Sequence, residues 1–315
     1  MLKNKNRFIT LLLMLAMVSM FIATTAFAAS YGTSGFEGQN ALNNPPTVTG
    51  QFTVYLSVKS NSIDGVAISR HRLPITMGTP GVTNYFFVSD VLVAAMSQYP
   101  ALSFQNSSGI PITSTSSYVQ KVTDSTVSST LVFEPVTGIN YYNGWMFRIN
   151  DKYRAMNPAD WPAGWDEDVS GPYGAAINQA FVQPDDFIDF YFADSANATV
   201  ATRTLKASGF TYTSGINKKL DVTLSESHCY FDGPPNYKWY ATTFAVVPNV
   251  TFSVKIDGTT YTDATNANGV ITINGIALSS GTHTFEVLPI YNTYTVNGTS
   301  YGIPLYSGYY ATFTI

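Results

Sequence analysis

The chain has one cysteine, three histidines and few ionisable groups of either sign. A lone Cys229 excludes an intramolecular disulfide, so the fold must rest on buried apolar area. Charged residues fill 11% of the 315 positions, against an ordinary share of about a quarter. That scarcity, with 14% aromatic residues, excludes a polyelectrolyte-like disordered chain. Lys and Arg number 16 against 20 Asp and Glu, a formal net charge of −4, and no basic cluster exists to neutralise phosphates. A nucleic-acid binder is thereby excluded. Catalytic signatures are also missing. His71, His228 and His283 are scattered, and there is no H-E-x-x-H, no G-x-S-x-G, no C-x-x-C, and no P-loop or dinucleotide fingerprint. Carboxylates for glycoside hydrolysis need only be close in space. Asp185, Asp186 and Asp189 read instead as a turn and the solvent face of a strand.

What is present begins with an address. Lys3, Lys5 and Arg7 precede an apolar run from Phe8 to Phe21, and Ala26-Phe27-Ala28 is an A-x-A cleavage site. Residues 1–28 therefore read as a signal peptide, and their removal takes the net charge from −4 to −7 and leaves 287 residues. No second long apolar run follows, so the expectation is a secreted, cell-surface-associated protein without a transmembrane anchor. From Ala29 to Gln51 the chain is rich in Gly, Ser, Asn and Pro without periodicity, which predicts a flexible arm.

Pattern starts at Phe52. Phe52, Val54, Leu56 and Val58 alternate with polar or half-polar neighbours, and Leu73, Ile75 and Met77 repeat the alternation as a hairpin partner. One helix follows, with Ser89 as N-cap, Val91, Leu92, Ala95, Met96 and Tyr99 on one face, and Pro100 as its stop. Strands are expected at 118–122, 130–134, 144–150, 175–182 and 187–193. The composition shift at 193–206 reads as a junction. Beyond it Leu220, Val222 and Leu224, then Val250, Phe252, Val254 and Ile256, then Phe285 and Val287 alternate, and Asp257-Gly258 and Asn268-Gly269 read as hairpin turns. The expected fold is mainly β: an N-terminal α+β unit over 52–195, then an all-β, immunoglobulin-like sandwich over 204–315. Cys229 reads as a small buried hydrophobe rather than a bridge or a ligand beside His228.

The run Tyr142-Asn143-Gly144-Trp145-Met146-Phe147-Arg148-Ile149-Asn150, together with the stretch from Phe181 to Tyr191, resembles the transcobalamin-like C-terminal domain family. The shared features are a Gly-Trp-Met run ending in Asn and, later, a tight acidic turn before alternating apolar and aromatic residues. The resemblance implies a β-grasp-like sheet with one helix and, as ligand, cobalamin or a related corrinoid or tetrapyrrole. It departs at Asp185-Asp186, where Gly-Asp is usual, and at an insertion from Asn157 to Pro172. The helical barrel that completes the site in cobalamin carriers has no counterpart here, so the resemblance bears on fold more than on ligand.

Four aromatic residues are the candidate ligand contacts. Trp145 and Phe147 share a strand face, as core residues or as a stacking wall for a flat ligand. Trp161 and Trp165 sit in a Pro/Gly loop, as binding anchors or as plugs folded back on the sheet. Asp166, Asp168 and Ser170 have the spacing of half a Ca2+ loop, but Ile177 stands where the bidentate Glu belongs, which favours a solvated acidic loop. The leading functional expectation is a non-enzymatic cell-surface structural or interaction protein that contacts other subunits, with the arm able to pair with a neighbour in a filament. The alternatives are a corrinoid-binding protein and a carbohydrate-binding module.

Overall fold

The computed structural model describes residues 36–164, 174–232 and 238–315, and the protein is mainly β with one α-helix among them. The first strands are β1 (Phe36–Gly38), β2 (Val48–Thr49), β3 (Phe52–Ile63), β4 (Val66–Met77) and β5 (Thr83–Asn84). β3 and β4 form a hairpin closed by Asp64-Gly65, both with positive φ (50° and 84°), the two-residue turn that matches strand twist. Its register pairs Phe52 with Met77, Val54 with Ile75 and Leu56 with Leu73, as the alternation predicts.

The helix, α1 (Val88–Gln98), starts two residues earlier than Ser89 as N-cap implies. Phe87 holds the N-cap position because the Asp90 carboxylate reaches back to accept its N–H at 2.8 Å. Ser89 is instead buried inside the first turn and donates its hydroxyl to the Ser114 carbonyl at 2.7 Å. Then come β6 (Leu102–Gln105), β7 (Lys121–Asp124), β8 (Asn143–Ile149), β9 (Tyr153–Ala155) and β10 (Phe187–Asp194). The strands expected at 130–134 and 175–182 are not formed. Phe133 makes a single bridge to Val122, and Ala176–Ala180 is a turn. In both segments apolar side chains (Phe133, Ile177, Ala180, Val182) enter the core from irregular backbone, and such alternation is indistinguishable in sequence from a strand.

The strand order β4-β3-β10-β8, with β10 parallel to β3 and its other pairings antiparallel, makes a sheet with two different faces. One face carries Leu56, Val58, Ile188, Phe190, Phe192 and Trp145, packs with α1 and its flanking loops, and forms the larger core. The other carries Ser57, Lys59, Arg148, Asp189 and Tyr191, and it too is buried. This corrects the solvent-face reading of Asp189. Lys59 Nζ lies 2.6 Å from the Asp189 carboxylate, at ion-pair distance, and donates to the Gly308 carbonyl at 2.9 Å. Asp186 accepts from the Gln183 N–H and from the Asn150 amide. A polar sheet face is stable under a second layer only when its charges are paired there.

That second layer is the C-terminal half: β11 (Arg203–Thr213), β12 (Lys219–Asp232), β13 (Lys238–Ala241), β14 (Ala245–Val246), β15 (Thr251–Ile256), β16 (Thr259–Ala264), β17 (Val270–Asn274), β18 (Thr282–Val287), β19 (Ile290–Val296), β20 (Thr299–Ser307) and β21 (Tyr309–Thr314). The sheet β16-β15-β18-β21 packs face to face on β17, β12 and β11, with Phe252, Val254 and Phe285 against Leu220, Val222 and Ile271 in a second core. Asp257-Gly258 is a hairpin turn with both φ positive (47° and 82°). Asn268-Gly269 is not a hairpin turn. Only Gly269 has positive φ, and the chain there crosses from β16 to β17, which pairs with β12 in the other sheet. Asn266 directs this crossing, its side-chain oxygen accepting from the N–H groups of Asn268 and Val270. Gly269 is required, since a Cβ would stand 2.7 Å from the Leu224 carbonyl.

β20 joins the halves by pairing in parallel with β11 and antiparallel with β3 at Tyr301–Ile63 and Gly302–Ser62. The main sheet therefore runs unbroken past the compositional shift at 193–206, where Thr202 is buried and receives the Asp194 N–H. The described part of the expected arm is also attached. β1 pairs with β9, β2 pairs with β5, and the Leu42 N–H donates to Asp160.

Candidate binding cleft

The hairpin between β8 and β9 begins tightly and then opens. Ile149 and Lys152 exchange both backbone hydrogen bonds at 3.0 Å around Asn150 and Asp151, whose φ values are positive (50° and 66°). A regular hairpin would next pair Phe147 with Arg154. Instead β8 stays with β10 while β9 turns to pair with β1. The Asn150 N–H bonds Phe187 of β10, so by alternation the N–H and C=O of Trp145 and Phe147 point into the gap. The Tyr118 hydroxyl meets the Trp145 N–H, and among the described residues Phe147 has no backbone partner on that side.

The gap is a cavity of about 400 Å³ between the larger core and a small third cluster of Phe36, Tyr153, Tyr191 and Cys229. Trp145 holds one wall. Its ring stacks on Phe190 at 5.1 Å and meets the Phe192 edge, and its indole N–H donates to the Phe133 carbonyl at 3.3 Å. Phe147 and Met146 continue that wall, while Tyr153, Phe36 and Trp239 close the other side. Ser117, Tyr118 and Gly174 are exposed at the rim.

Burial favours the neutral form of two tyrosine hydroxyls and one thiol at the floor. Burial pushes the Tyr153 and Tyr191 hydroxyls, which bond each other at 2.8 Å, above the usual phenol range. Burial likewise raises the Cys229 thiol, overriding the pull of the Arg148 cation. Arg148 itself is buried behind the cleft, 5.2 Å over the Tyr153 ring and 4.7 Å over the Phe244 ring. A largely aromatic and apolar cleft of this kind can select flat uncharged groups, and burial favours the protonated form of its Cys229 thiol.

Of the four aromatic candidates the structure brings Trp145 and Phe147 to the cleft. Trp161 goes elsewhere: its ring packs on the larger core and its N–H donates to the Met156 carbonyl at 3.0 Å, so it acts as a plug. Trp165, Asp166, Asp168 and Ser170 lie outside the described residues. Among the described residues no cluster of three or more His, Cys, Asp or Glu side chains has the proximity to hold a metal ion. No protein-family model, curated protein or solved structure matches the chain. The opposite wall (Phe36, Tyr153, Arg154, Trp239) carries no sequence signal. It is assembled from three distant segments around a splayed hairpin.

Each histidine stands beside a carboxylate. His71 has both Ser69 (3.0 Å) and Glu286 (3.3 Å) at the same Nε2 atom, whereas a nucleophilic relay needs them on opposite nitrogens. His228 lies 3.1 Å from Glu226. His283 is held between two acceptors, Asp257 at 2.6 Å on Nδ1 and the Ser279 carbonyl at 2.9 Å on Nε2, which favours the doubly protonated ring. The Asp257 hydrogen bond raises the His283 pKa above 6.5, and hydrogen bonds from Thr284 and His283 hold Asp257 below 3.8. The histidine's contribution is therefore full below pH 6.5 and is lost as pH rises through its higher folded pKa. The aspartate's is present above pH 3.8 and is lost as pH falls through its lower folded pKa. Thermal unfolding followed from pH 4 to 9 is expected to show a decline on the alkaline side that His283→Gln removes.

Proposed function

We propose that the protein is an exported interaction protein that acts by holding a neutral, flat, apolar group in the cleft between β8 and β9. The observation that carries this reading is the cavity itself. Its volume of about 400 Å³ falls in the range of about 300–1,000 Å³ typical of small-molecule sites, and its walls are largely aromatic, with the one lining cation, Arg154, already paired with Glu37. Export rests on the basic n-region, the apolar run and the A-x-A site within residues 1–28. The strand order β4-β3-β10-β8 under one helix supports the β-grasp-like resemblance, and the face-to-face sheets beyond β11 suit an immunoglobulin-like sandwich. A corrinoid, the ligand the resemblance implies, would stand partly outside a cavity of this size.

The test is a fluorescence titration with N-phenyl-1-naphthylamine, a neutral, largely apolar aromatic probe. One saturable site is expected, and Met146→Trp, which fills the gap from a half-buried position, should weaken it about tenfold or more, equivalent to about 1.4 kcal/mol. Unsaturable binding, or a variant that binds as the wild type does, would refute the reading.

A further inference from the structure

A second cavity of about 290 Å³ lies against the first and has the opposite character. It is lined by Gln39, Asn40, Asn150, Gln183, Glu37 and Asp186, and Arg154 of β9 lines both cavities. The boundary between them is built: the Gln39 side chain donates to the Gln179 carbonyl on the cleft side and accepts the Phe181 N–H on the other. The charged side chains of this second groove already hold partners. Arg154 pairs with Glu37 at 2.6 Å, and the Asp186 carboxylate is occupied by Asn150 and the Gln183 N–H. What the groove still offers, among the described residues, is the exposed side-chain amides of Asn40 and Gln183, which hold no hydrogen bond there, and the buried Arg154 Nε–H, which finds no acceptor among them.

Amides donate and accept alike, as hydroxyl groups do. A phosphate brought here would face Glu37 and Asp186, which disfavours an anion, and a cation would have to displace the partners that both carboxylates already hold. We propose that the two cavities form one composite site across Arg154, and that its ligand is a glycoside: a flat apolar aglycone in the cleft and a sugar on the amides of the polar groove. This rests on the cleft being a binding site and adds the class of its ligand. Seating both parts of one molecule makes the second contact intramolecular, so the glycoside should bind more tightly than either fragment.

Isothermal titration of the mature protein with 2-naphthol, with free glucose, galactose, mannose and N-acetylglucosamine, and with the 2-naphthyl β-glycoside of each sugar tests this. At least one glycoside is expected to bind about tenfold or more tighter than 2-naphthol, and its free sugar only weakly. Gln183→Leu, at an exposed position, should bring the ratio of glycoside to naphthol affinity close to one. Equal affinity of naphthol and all four glycosides, or a ratio unchanged in Gln183→Leu, would overturn the composite site while leaving the cleft standing. Failure of naphthol and every glycoside to bind would overturn the composite site and count against the cleft as well.

Discussion

Lys59→Met is expected to destabilise the protein by about 3–5 kcal/mol, the usual cost of removing one partner from a buried ion pair. Lys59 and Asp189 are 7% and 9% exposed, and the ammonium also carries the Gly308 carbonyl. Methionine preserves most of the stem but leaves the Asp189 carboxylate buried and uncompensated. The double variant Lys59→Met/Asp189→Leu should regain much of the loss, because replacing both charges by apolar groups of similar volume is often close to neutral. Urea unfolding measures both. Since Lys59 is on β3, Asp189 on β10 and Gly308 between β20 and β21, the contact ties strands from both ends of the chain. The two cores should therefore lose structure in one transition. A shift below about 1 kcal/mol for the single variant, at odds with the cost of an unpaired buried charge, would contradict this account.

Phe190→Ala should cost a similar amount, about 3–5 kcal/mol, by a different mechanism. Phe190 is 1% exposed, stacks on Trp145 at 5.1 Å and meets Phe104 edge-on at 5.7 Å. Deleting its ring removes apolar contact and leaves a void that a sheet fixed by β3 and β8 on either side can fill only partly. The same ring lines the cleft, so the folded fraction of the variant should bind N-phenyl-1-naphthylamine with about tenfold lower affinity or worse. Calorimetry and the fluorescence titration read the two losses separately, and a loss of stability with binding intact would show that Phe190 supports the core but not the site.

Much of the framework is legible in the residues, for reasons that also explain what is not. β3, β4, β8, β10, β12 and β15 announce themselves because apolar side chains at period two have one buried face. The body of α1 follows from Val91, Leu92 and Ala95, but its start depends on Asp90 reaching back three residues, which the preference for Ser at N-caps conceals. Asp189 and Lys59 look like solvent-facing residues because alternation records only that the two faces differ. It cannot say whether the polar face meets water or another layer of protein. β20 illustrates the same limit: that a strand near the C terminus completes the pairing of β3 is a long-range fact of assembly. At the cleft, Trp145 and Phe147 are visible as aromatics on one strand. Arg154, Tyr153 and Trp239 are not, since their place follows from two strands parting after a two-residue turn.

Hydrogen–deuterium exchange with and without N-phenyl-1-naphthylamine tests the central claim most directly. The cleft predicts added protection at the backbone of 145–147, with lesser gains at 153–154 and 175–177, and no change in β15–β18. Protection centred on the C-terminal sheet, or spread evenly over the exposed aromatic residues, would place the contact surface elsewhere and contradict the account.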